Sequence, residues 1–216
     1  MSGNVITHFD QVTLAWLTEV LSNSGAQSEG MVESFEVVQD RGNWSTSGRL
    51  KVRYSQDSQG MLPRNLFLKM VNTDLDDEFF GPSEVYYYTR DYVDVEHAPL
   101  IHCYDGAYSE PQQRYHLLLD DLTETHVRAA DRAPTLAYGL ALAEGLAVLH
   151  ARWWGGERLA QAGASVHTPE QIRHFVEIAE PGAGHILEQF SDWLEPHWPD
   201  MLRASYAKHP PARGHA

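Results

Sequence analysis

The sequence predicts an α+β protein: antiparallel strands with two helices in its first ~120 residues, and helices alone thereafter. Three observations carry this. Between residues 31 and 122, short apolar runs with period-two alternation are separated by turns rich in Gly, Pro, Asp and Asn. After Leu122 the character changes to long Ala- and Leu-rich segments at helical spacing. With 216 residues, 43% of them hydrophobic and 11% aromatic, the chain can bury a substantial core.

The first helix is expected over "TLAWLTEVLSNSG", where Leu14, Leu17 and Leu21 recur at helical spacing. Thr13 can cap its start and Gly25 can end it. Strands are expected at 31–39 ("MVESFEVVQ"), at 49–55 ("RLKVRYS", with Leu50, Val52 and Tyr54 on one face) and at 65–71 ("NLFLKMV"). Residues 40–48 ("DRGNWSTSG") and 56–63 ("QDSQGMLP") read as the turns between them. The acidic loop "NTDLDDE" leads to a helix over 82–93 ("PSEVYYYTRDYV"), with Pro82 near its start. Two more strands follow, "PLIHCYDGAYS" at 99–109 and "RYHLLLDDL" at 114–122. Beyond Pro134, "TLAYGLALAEGLAVLHARWW" forms a long helix and Thr168–Pro169 starts another. Residues 182–209 are helical in pattern, with interruptions at Pro196 and Pro199. The tail "HPPARGHA" reads as frayed, and no repeat is present.

A net charge of −14 argues against a nucleic-acid partner, which needs a basic face, and is compatible with a cationic small molecule. The single cysteine, Cys103, fits a reducing compartment and reads as a small buried hydrophobe within a strand. No signal peptide and no apolar stretch of membrane-spanning length is visible, so the expected location is the cytoplasm. The 12 histidines show no metal-ligand spacing, so no metal site is expected from them, and "DLDDE" reads as a solvated surface.

Lys69 stands in an otherwise apolar strand, where a charge is costly unless paired or bound. One reading is a gatekeeper on an edge strand. The other is a phosphate ligand beneath the preceding loop, whose Gly42 and Gly48 let backbone N–H groups arch over an anion. Glu84 in the following helix is a candidate carboxylate to fix the lysine. The strand "HLLLDDL" ends in a short acidic linker where an adenine edge can be held, although Asp120 and Asp121 can equally cap a turn.

In order, these parts resemble the aminoglycoside phosphotransferase and choline kinase-like family, closest to its ecdysteroid-kinase-like branch, which has a protein-kinase-like fold. "FLKMV" is similar to the family's nucleotide-lysine strand and "PSEVYYYTRDY" to its E-x-x-x-Y helix. "PLIHCYDGAY" resembles the strand before the hinge, "HLLLDDL" the hinge itself, and "LAVLHARWW" the A-x-L-H-A-x-x-W helix. The likeness spans about residues 30 to 155. It implies a bilobal fold with an antiparallel five-stranded N-lobe and helix over 1–118, a hinge at 119–124 and a partial helical C-lobe over 125–216. It implies that Lys69 binds ATP phosphates with Glu84 as ion-pair partner. Residues 42–48 would cover the phosphates, Ser45, Thr46 and Ser47 offering donors, and the backbone around Asp120, Asp121 and Leu122 would hold adenine. His150 would be a packing residue.

The family's H-G-D-x-x-x-x-N loop and later metal-binding aspartate are not in the sequence; the one H-x-D, His8–Asp10, precedes the first helix. The expected activity is therefore that of the front part of an ATP- and Mg²⁺-dependent kinase acting on a hydroxyl of a small, cationic molecule, truncated before its catalytic loop. The competing readings are a kinase-like module that holds nucleotide or a partner without turnover, and a fragment that only self-associates. Trp153, Trp154, Trp193 and Trp198 are candidates for an exposed or partner-covered patch.

Overall fold

The computed structural model describes residues 4–41, 45–72, 81–155, 157–158 and 168–207. The chain divides into two compact units, Met1–Trp154 and Gly155–Ala216. In the first, α1 is Leu14–Asn23, and the strands are β1 (Gln27–Glu29), β2 (Val32–Arg41), β3 (Ser45–Tyr54), β4 (Gln59–Gly60) and β5 (Asn65–Asn72). Then come α2 (Ser83–Tyr86), β6 (Cys103–Ser109), β7 (Arg114–Asp120) and α3 (Leu136–Trp153). The second unit contains α4 (Pro169–Gln189) and α5 (Trp198–Ala207). The architecture is α+β. Among the described residues, no helix is long and apolar enough to cross a membrane.

The five-stranded sheet has the order β2-β3-β5-β7-β6, and all of its pairings are antiparallel. Its central strand alternates as the sequence requires. Leu66, Leu68 and Met70 face α1 and join a core with Trp16, Leu17, Val20, Leu21, Leu50 and Leu118. Phe67 and Val71 take the other face, in a second cluster with Val85, Tyr115, Leu117 and Leu119. β7 is buried on both faces, which explains its continuous apolar run. Thr13 caps α1 by accepting from the Trp16 N–H at 3.1 Å.

Several boundaries differ from the sequence expectation; β7 ends at Asp120, and one helix, α4, runs through Pro181 into the segment expected to be separate. Residues 45–48 continue β3 rather than forming a loop, because Ser47 and Thr46 pair with Asp40 and Arg41 of β2. Residues 99–102 precede the strand that begins at Cys103. The expected helix over 82–93 is four α-helical residues followed by a five-residue π turn, Tyr87–Asp91. Pro199 lies within the first turn of α5, where its missing N–H costs no intrahelical bond. The ribbon of β1 and β4 has strands of three and two residues, too short to announce themselves by periodicity.

The long helix α3 has no buried residue, and His150 is exposed on it, not packed as expected. Trp154 and Trp193 are 87% and 85% exposed. Trp153 differs: its indole N–H donates to the Tyr92 hydroxyl at 2.7 Å.

Candidate functional site

Lys69 emerges from the middle of β5 on the face opposite α1. Its direct neighbours across the strands are Ser47 on β3 and Leu117 on β7. The ammonium donates to both carboxylate oxygens of Glu84, at 2.6 and 2.8 Å. Both side chains are partly open, 29% and 28% exposed, so the pair is held yet reachable from solvent. This resolves the cost of a charge in an apolar strand: the lysine is paired, and its head lies at the edge of the buried cluster.

Glu84 reaches the lysine because the helix carrying it sits close on the sheet. Val85, next in sequence, is buried in the cluster with Leu117 and Leu119. Gly106 on β6 makes the approach possible. A Cβ at that position would lie 2.9 Å from Leu117 Cδ2 and 3.2 Å from Thr89 Cγ2, so a side chain there would crowd β7 and the π turn that follows the helix.

A third residue completes the arrangement. The Tyr115 hydroxyl, on β7, donates to Glu84 Oε2. Burial, then the bond to Glu84, pushes the Tyr115 phenol well above its ordinary range, so it stays a donor. The Tyr88 phenol is also raised, chiefly by burial and then by the Glu84 charge. Burial pushes the Cys103 thiol up to about 12, with the charge of Asp105 adding to it, so this cysteine is not a thiolate nucleophile at neutral pH.

The other expected site residues separate by register. Ser47 pairs directly with Lys69 and Ser45 with Val71, so both hydroxyl side chains share the Lys69 face. Thr46 pairs with Met70 and belongs to the opposite face, away from the ammonium. Gly42 lies outside the described residues. Beside Lys69 its direct neighbour Ser47 is buried, while farther along the same face Phe67 is half-buried and Val38 on β2 is 56% exposed.

At the end of β7 the backbone is largely committed. The Asp120 N–H donates to the His102 carbonyl at 3.0 Å, and the Asp121 N–H to the Asn65 carbonyl at 3.2 Å. The Asp120 carboxylate accepts from the Tyr104 hydroxyl at 2.5 Å. Asp121 caps a turn, accepting from the Thr123 N–H at 2.9 Å and from the Thr123 hydroxyl. Of the three expected hinge N–H groups, that of Leu122 alone has no partner among the described residues. Also among the described residues, no three His, Cys, Asp or Glu side chains gather as a metal-ligand set, so none is assigned to Mg²⁺.

No family model, curated protein or solved structure matches the chain. The site is therefore read from its own geometry. It presents an ammonium fixed by a carboxylate, a buried and a half-buried serine hydroxyl on the same face, a partly exposed apolar surface farther along it and, among the described residues, one N–H without a partner at the strand end.

Tyr115 was not legible as part of the site. Alternation along "RYHLLLD" puts Tyr115, Leu117 and Leu119 on one face, but only the β5–β7 register brings that face to Lys69.

Proposed function

We propose that this chain is the nucleotide-binding N-terminal part of an ATP-dependent phosphotransferase of protein-kinase-like, bilobal fold, acting on a hydroxyl of a small molecule. One observation carries the reading. Lys69 lies on the third strand of the five-stranded sheet and is held by Glu84 of the next helix, the lysine–glutamate pair that positions ATP phosphates in that fold.

The donor set suits a nucleotide. Lys69 neutralises phosphate charge while Glu84 and Tyr115 keep it aimed along the sheet. Ser45 offers a hydroxyl donor on the same face, with the buried Ser47 behind it next to the lysine, and Phe67 with Val38 offers a surface for the base. Leu122 contributes the N–H that can meet the base edge, which narrows the hinge contact to one residue. ATP supplies the transferable phosphoryl group, and these residues bind and orient it. The acidic balance favours a cationic acceptor, such as an amino sugar or a choline-like compound.

The sequence given contains no H-G-D-x-x-x-x-N, which favours, for these residues alone, a second reading: nucleotide held without transfer. Calorimetric titration with ATP, with and without Mg²⁺, tests what both readings share. Saturable binding of one nucleotide per chain is expected, and absence of any binding heat under both conditions overturns the assignment. A product assay with amino-sugar or choline acceptors then separates transfer from holding.

Tyr115→Phe removes one hydroxyl and little volume. Nucleotide affinity is expected to fall by about two- to tenfold, matching ~0.5–1.5 kcal/mol for one hydrogen bond. An unchanged affinity in the same titration would show that Glu84 needs no second support.

A further inference from the structure

On the sheet face opposite Lys69, the N-terminal segment crosses the strands and is anchored at three points. Ile6 and Val12 are 4% and 6% exposed within the core. Between them, Phe9 covers Gly48 of β3 so closely that a Cβ there would lie 2.6 Å from the ring. The polar anchor is the Ile6 N–H, which donates to His116 Nδ1 at 3.1 Å.

That bond fixes the protonation of the ring. A nitrogen that accepts from an N–H carries no proton, so the imidazole proton is on Nε2, which faces Asp105 Oδ2 at 3.0 Å. His116 is fully buried, and the Trp16 ring stands edge-on to it at 5.7 Å. The irregularity of β6 between Cys103 and Asp105 turns Asp105 toward this side of the sheet.

We propose that His116 is a pH-sensitive latch for the N-terminal segment: a proton added at Nδ1 turns the acceptor into a donor and frees residues 5–12 from the sheet. The proton comes from solvent, and the Ile6 N–H passes to water. The Nε2 side of the ring keeps its bond to Asp105 Oδ2, since a proton at Nδ1 leaves that nitrogen a donor. Among the described residues, the ring's hydrogen bonds are those to the Ile6 N–H and to Asp105. From β6 the charged group in contact is Asp105, from β5 the neighbour across the strands is Met70, and from α1 it is Trp16. Glu19, Arg90 and Glu110 line the groove shared by Ile6 and Trp16, and none of them hydrogen-bonds the ring.

The sign follows from the linkage. The closed segment requires the neutral ring, so release takes up a proton: the segment is held at higher pH and lost as pH falls. Release also uncovers Gly48, the neighbour of Ser47, and removes the backing of the β2–β3 hairpin. The latch does not depend on nucleotide binding and is tested without nucleotide.

Hydrogen exchange of the whole chain, scanned from about pH 8 to about pH 5 and corrected for intrinsic rates, reads it directly. Amides of residues 6–12 are expected to lose protection by about tenfold or more while those of β5 remain protected. His116→Asn keeps a side-chain acceptor but does not titrate in this range, and is expected to abolish the pH dependence. The proposal is overturned if protection of residues 6–12 is constant across the scan, or is lost only in step with β5. It is equally overturned if His116→Asn keeps the pH dependence. Should that variant not fold, the wild-type scan decides alone.

Discussion

Lys69→Ala is expected to weaken ATP binding by about 10- to 100-fold while leaving the fold in place. The loss corresponds to ~1.5–3 kcal/mol for charge-assisted hydrogen bonds to phosphate. The stability cost is small by comparison. The Lys69–Glu84 pair is 29% and 28% exposed, and pairs that open to solvent contribute ~1 kcal/mol or less. Glu84 also keeps its bond from Tyr115, so no carboxylate is left stranded. Calorimetric titration beside a thermal melt checks both halves. A variant that binds ATP as tightly as the parent would refute the role of the lysine. One that melts far lower would show that the pair is structural first.

Leu68→Ala should have the largest effect on stability. Leu68 is fully buried at the centre of β5, packed toward α1, and Leu118 of β7 is its cross-strand neighbour. Truncation removes three heavy atoms from a close-packed layer, and the sheet cannot collapse to fill the gap. The expected cost is ~2–5 kcal/mol, a large share of the ~5–15 kcal/mol typical of a domain. Val38→Ala, at a side chain 56% exposed, is the control and should fall within ~0.5 kcal/mol. Urea unfolding of the two variants gives the comparison; a Leu68 variant as stable as the Val38 one would mean that this layer is not the core.

How much was legible from the sequence depended on whether a feature was local. The apolar run "NLFLKMV" marks a strand with one charge, Lys69, set into it, and β5 is that strand. Glu84 was within reach of Lys69 because strand, loop and helix are consecutive. Residues 45–48 read as loop because Ser45, Ser47 and Gly48 give no strand signal and Thr46 alone, although β-branched, is not a pattern; cross-strand pairing decides the matter. Thr46 was grouped with Ser45 and Ser47 because composition cannot assign faces, whereas register does. The His116–Asp105 bond and the Ile6 anchor join residues 11 and 110 positions apart, so no local pattern announces them. Asp121 took the turn-capping role that Asp residues at strand ends commonly take.

The burial of β7 on both faces has a further consequence. Tyr115 and His116 are consecutive residues, yet one holds Glu84 beside the lysine and the other holds the N-terminal segment behind the sheet. Nothing but a single strand's thickness separates the two anchors. A shift of β7 by a fraction of its rise would tilt both at once, in opposite directions from the sheet plane. Substitutions on the two sides of this strand should therefore not add, even though their side chains never touch.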